Sequence, residues 1–152
     1  MSHPAPSQPA TASPTQAPVP LRWGVHLLVA VLLIVGAGRS ALSTPADWAV
    51  MACSGLVAVV YAAGLRWTAV ATSTRAAGAW LAVLLTAWAG LLVLTGDAIY
   101  LAFPWFFLLL SLLPRPAGLA AVIVTTVAAV AGFAWHQDTP TAAMVIGPVL
   151  GA

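Results

Sequence analysis

The sequence predicts an all-α, polytopic transmembrane helix bundle, and three observations carry that reading. Of 152 residues 62% are hydrophobic and only 5% charged, whereas a soluble domain carries about 25% charged side chains to hydrate its surface. Second, single charges separate long uncharged runs of 16 (Trp23 to Gly38), 18 (Trp48 to Leu65), 21 (Ala76 to Gly96), 17 (Ala98 to Pro114) and 22 residues (Pro116 to Gln137). A spanning helix needs about 20 apolar residues, with a range of about 17 to 25, and terminal arginines snorkel to the interface. Third, the runs lack the alternation of a barrel strand, and lipid leaves only helices or closed barrels for the backbone. A water-soluble globule is excluded, and five complete helices plus a truncated sixth are expected.

Residues 1–20 hold six of the twelve prolines among Ser, Thr, Ala and Gln. No apolar run there offsets the entropy of ordering the chain, so a disordered cytoplasmic tail is expected. A secretory signal competes for the run that follows, but the long proline-rich leader lacks the early basic residues such a signal carries. The transmembrane domain then covers 21–152, with helices expected at about 22–41, 46–65, 76–95, 98–113, 117–136 and 141–152. Turns supply the helix breakers: Ser43-Thr44-Pro45, Leu94-Thr95-Gly96-Asp97, Pro114-Arg115-Pro116, and Gln137 to Pro140. The last piece, Thr139 to Ala152, would rise only about 21 Å, short of a hydrocarbon core about 30 Å thick. It reads as a sixth helix cut off partway.

Orientation follows from the arginines. With the amino terminus in the cytoplasm, inner segments hold Arg22, Arg66, Arg75 and Arg115, and outer segments hold Arg39, Asp47, Asp97 and Asp138. That split obeys the positive-inside rule, so a multi-pass protein of the plasma membrane with a cytoplasmic amino terminus is expected. Five scattered arginines make no basic stripe, which argues against nucleic-acid binding. The lone Cys53 precludes an internal disulfide framework, and no catalytic triad, phosphate loop or metal motif is present. No cofactor is implied.

Several residues are candidates for a role beyond packing. Trp23, Trp48, Trp67 and Trp135 fall at predicted helix ends, where indoles favour the headgroup layer, while Trp88 and Trp105 lie deeper. Trp105 belongs to an aromatic-rich fourth span with Tyr100, Phe103, Phe106 and Phe107, which either lines a ligand pocket or packs against neighbours. His26 is the one ionisable residue within a span; one turn from Arg22, it reads as interfacial rather than as a proton carrier. Pro104 removes a backbone donor and is expected to kink the fourth span, and Pro148 interrupts the sixth; both are candidate hinges. Trp135, His136 and Asp138 are candidate sensing residues at the outer rim, together with Trp105 inside the bundle. Small residues recur four apart at Ser54, Ala58 and Ala62; at Ala82, Thr86 and Gly90; at Ala117, Ala121, Thr125 and Ala129; and at Gly147 and Gly151. Such stripes let backbones approach, giving a tight bundle and a possible homodimer.

Family resemblance sharpens this. YLAFPWFFLLLSLL at Tyr100 to Leu113, the following Pro114 to Leu119, AGFAWHQ at Ala131 to Gln137 and MVIGPVLGA at Met144 to Ala152 resemble the membrane input domain of actinobacterial two-component sensor histidine kinases. The closest group is the MacS-like sensors that pair with LuxR-type response regulators. The resemblance covers about residues 76 to 152 and is most specific in the last 50. It implies that the helix beginning at Met144 runs on into a cytoplasmic coiled coil, a dimerisation domain bearing the phospho-accepting histidine and an ATP-binding domain. The family's acceptor histidine and ATP-binding motifs have no counterpart here, and His3, His26 and His136 match none of them. The resemblance therefore implies a signal-sensing and anchoring portion without the catalytic part, whose link to a response regulator runs through the missing kinase. The alternatives from the residues alone are a small membrane interaction or assembly protein and, with no polar midplane to support it, a carrier or channel.

Overall fold

A computed structural model of the chain describes residues 19–43, 45 and 47–137, with side chains from Trp23 onward. Among the described residues every regular element is helical: α1 (Val19–Leu42), α2 (Trp48–Arg66), α3 (Thr68–Thr72), α4 (Thr74–Leu94), a 3₁₀ helix (Gly96–Leu101), α5 (Ala102–Leu112) and α6 (Arg115–Trp135). Among the described residues four helices are long and apolar enough to cross a membrane: Trp23–Leu42, Trp48–Arg66, Thr74–Leu94 and Arg115–Trp135. The chain is thus built as a multi-pass membrane protein, with four full-length spans in place of the five expected. The difference lies at the fourth expected span, which starts as the 3₁₀ helix and becomes regular only at Ala102. The sixth helix and Pro148 fall outside the described residues, as does Asp138.

Local chemistry sets the helix boundaries. Asp47 caps α2 by accepting from Val50 N at 3.1 Å, and Ser73 caps α4 through Ala76 N at 3.4 Å, each satisfying one of the free donors of a first turn. Thr95 caps the 3₁₀ helix through Asp97 N at 3.3 Å. Pro116 stands in the first turn of α6, where a missing N–H leaves no bond unmade. Pro104 also lies early in its helix. It is the third residue of α5 and fully buried, and it directly follows a 3₁₀ helix whose Ile99 carbonyl accepts from Ala102 N. It stands just past the junction of two helical geometries. α1 begins at Val19, within the proline-rich segment expected to be tail, and Pro20 sits at its second position, where proline is tolerated.

α4 is the central helix, packed against α2, α6, α5 and the 3₁₀ helix, and α1 closes the bundle against α2, α5 and the 3₁₀ helix. Between them lies a core of Val29, Val57, Leu84, Trp88, Trp105, Leu109 and Ala129, each under 2% exposed. Leu27, Ile34, Val59, Val93, Ile123, Val124 and Val127, each more than 60% exposed, face outward. Apolar side chains on both faces are what a helix immersed in hydrocarbon carries.

Close approaches fall at particular glycines. A methyl group at Gly64 would overlap the Trp80 indole, and one at Gly132 would overlap Leu92. At Gly118 an added Cβ would stand 3.0 Å from the Leu109 carbonyl oxygen. The expected small-residue stripes divide: Thr125 and Ala129 of α6 are buried, while Ala82, Thr86 and Gly90 of α4 are exposed.

Candidate functional site

The alternation of helix direction sorts the polar residues into two ends. Arg66, Arg75 and Arg115 lie at one end, with the start of α1 and the link α3; the turns bearing Arg39, Asp47, Asp97 and His136 lie at the other. Two exposed tryptophans mark each end, Trp23 and Trp67 at the first, Trp48 and Trp135 at the second. Indoles so placed suit the headgroup layers.

At the end bearing Asp97, Arg39 Nη1 lies 3.3 Å from Asp97 Oδ2, tying the last turn of α1 to the 3₁₀ helix. Both side chains are exposed enough for solvent to screen the pair. His136 Nε2 donates to the Leu92 carbonyl at 2.8 Å, and its ring packs against Gly96. It therefore binds one of the last carbonyls of α4, which lack intrahelical donors. Of the expected sensing trio, Trp135 projects outward, 80% exposed, and His136 turns inward onto α4. The two described members are not brought to a common site.

The more unusual arrangement lies near the arginine-bearing end, inside the bundle. His26 Nδ1 and the Tyr61 hydroxyl are 2.6 Å apart. Tyr61 is buried, with its ring centroid 5.8 Å from that of Trp105 and 6.4 Å from that of Trp80. Trp80 Nε1 donates to the Val60 carbonyl at 2.8 Å, across the close approach at Gly64. Trp105 Nε1 is buried without a hydrogen-bond partner among the described residues, so there its indole contributes packing to the core and no polar bond. Trp88 Nε1, by contrast, donates to the Ala98 carbonyl at 2.8 Å and pins the 3₁₀ helix to α4.

Beside this cluster is a cavity of about 510 Å³ between α1, the α2–α3 region and α5. Val25, Leu65, Val70, Phe107, Leu108 and Leu112 supply apolar walls, Trp80 an aromatic one, and His26, Thr68 and Ser111 the polar atoms. This lies within the usual range for small-molecule sites, about 300 to 1,000 Å³, mostly apolar with a few placed polar groups. Phe107 of the aromatic-rich segment lines it; Trp105 does not.

The sequence marked His26 but not its partner. Tyr61 lies 35 residues away on another helix, and neither spacing nor composition signals that pairing. Among the described residues no group of three or more His, Cys, Asp or Glu side chains could hold a metal ion. No family model, curated protein or solved structure matches the chain.

Proposed function

We propose that this chain is the membrane-embedded sensing and anchoring portion of a two-component sensor histidine kinase. The observation that carries the reading is the sequence resemblance running from Tyr100 to Ala152. The bundle supports it by what its interior contains: tryptophans, aliphatic side chains and the single His26–Tyr61 pair. Transporters and pumps place charged relays or broken helices at the midplane; a sensor needs only helices whose packing a stimulus can bias.

In this reading the 3₁₀ helix and α5 form a fifth crossing. A 3₁₀ helix rises about 2.0 Å per residue against about 1.5 Å in an α-helix. Six residues of the first and eleven of the second together reach about 28 Å, close to the core thickness of about 30 Å. Extending the first turns lets a 17-residue segment, Gly96–Leu112, do what normally takes about 20. Five crossings put Gln137 at the face opposite the amino terminus, and a sixth would return the chain to the arginine-bearing face. The positive-inside rule makes that face cytoplasmic, where a kinase would follow Ala152. Stimulus-dependent repacking is assigned to α5 and α6 around Pro104, the sensing rim to Trp135 and His136, and the homodimer to transmembrane helices.

The deciding experiment is to read the gene past codon 152. An in-frame continuation into a histidine-bearing dimerisation domain and an ATP-binding domain supports the proposal. A stop codon there, with stable accumulation of the short product, refutes it and leaves a small membrane interaction protein.

A further inference from the structure

The cavity near the arginine-bearing end has a directional polar group as well as apolar walls. The Tyr61 hydroxyl has no acceptor among the described residues other than His26 Nδ1, 2.6 Å away. When the hydroxyl donates to Nδ1, the ring hydrogen is left on Nε2. Nε2 has no partner among the described residues, and His26 lines the cavity. In that tautomer His26, a lining residue of the cavity, has its N–H donor on Nε2. His26 lies three residues inside the span that begins at Trp23, about 4.5 Å below its edge, so the donor sits just beneath the headgroup layer.

Charge at this end has one sign. Arg66 adjoins the lining residues Leu65 and Trp67, Arg75 begins α4 and Arg115 begins α6, and no acidic residue accompanies them among the described residues. We propose that the cavity binds a long-chain fatty acid from the surrounding leaflet. The acyl chain lies along Val25, Leu65, Phe107, Leu108 and Leu112, and the carboxylate accepts from His26 Nε2 within the field of the arginines. A donor requires an acceptor head, the arginines favour a negative one, and about 510 Å³ has room for a single acyl chain with its head group. The site stands independently of the kinase reading, since its lining residues belong to α1 through α5.

The test uses the purified full chain in lipid nanodiscs and palmitic acid carrying a diazirine near its methyl end, with crosslinks mapped by mass spectrometry. Saturable labelling of the 65–70 and 107–112 segments, displaced by unlabelled palmitate, is the expected result. Ser111→Phe, which fills the cavity from an exposed position whose hydroxyl bonds only its own helix, abolishes it. His26→Phe weakens palmitate about tenfold, the factor for loss of one charge-assisted hydrogen bond. Ile123→Phe on the outward face of α6 changes nothing. Helical circular dichroism and a monodisperse elution profile establish that each variant is folded; should His26→Phe fail this check, Ser111→Phe alone decides. Unsaturable labelling spread over α6, an unchanged signal in Ser111→Phe, or equal displacement by phosphatidylglycerol would overturn the proposal, the last by making the occupant ordinary bilayer lipid.

Discussion

Gly64→Ala gives the sharpest test of how α2 and α4 are held together. The added methyl would overlap the Trp80 indole, and the ring cannot simply swing aside, because Trp80 is 6% exposed and its Nε1 holds the Val60 carbonyl at 2.8 Å. Overpacking of this kind costs about 1 to 3 kcal/mol. Escape by rotation would forfeit the hydrogen bond, worth about 0.6 and at most about 1.7 kcal/mol between membrane helices. A destabilisation of about 2 kcal/mol is therefore expected, while the helix-propensity change from Gly to Ala works the other way by up to about 1 kcal/mol. Trp80→Ala removes the indole that the methyl would meet, so the two substitutions couple: in that background Gly64→Ala costs less than about 0.5 kcal/mol. The assay is reversible unfolding in mixed micelles followed by far-ultraviolet circular dichroism, read as a double-mutant cycle. Equal costs in the two backgrounds would refute the reasoning, since the penalty would then have no connection with the indole.

Three further outcomes follow from the same geometry. Trp88→Phe removes the bond to the Ala98 carbonyl; global stability falls by about 1 kcal/mol, and amide exchange accelerates selectively at residues 96–101, whereas uniform acceleration would show that the indole does not hold the 3₁₀ helix. Asp97→Asn breaks the exposed pair with Arg39 and shifts stability by less than about 1 kcal/mol, an effect that disappears in high salt; a larger, salt-independent loss would contradict its solvent-screened character. In a Cys53→Ala background, a cysteine at Ser73 in the link next to α4 is expected to resist a membrane-impermeant maleimide in intact cells, and one at Ser43, in the turn after α1, to react. The reverse pattern would invert the topology.

Sequence alone determined the solvent of this protein and the helical class of its chain. A shortage of charge, the length of the uncharged runs and the choice of helix over strand are additive properties of consecutive residues, and lipid permits few answers to them. The ends were equally legible: exposed Trp23, Trp48, Trp67 and Trp135 sit where their positions beside breakers and arginines put them. The 3₁₀ entry of the fourth expected span was not legible, because hydropathy measures apolar length and is blind to rise per residue, so a 3₁₀ turn leading into α5 reads the same as a continuous α-helix. Which face of each helix turns inward also eluded the sequence. In water polar residues mark the outer face, but here both faces are apolar, and the stripe at Ala82, Thr86 and Gly90 faces outward while Gly64 and Gly132 make the close approaches. Only tertiary structure decided that His26 meets Tyr61, 35 residues away, because such a pairing depends on helix rotation and on the depths at which two separate spans settle, and neither is encoded in the spacing along either one.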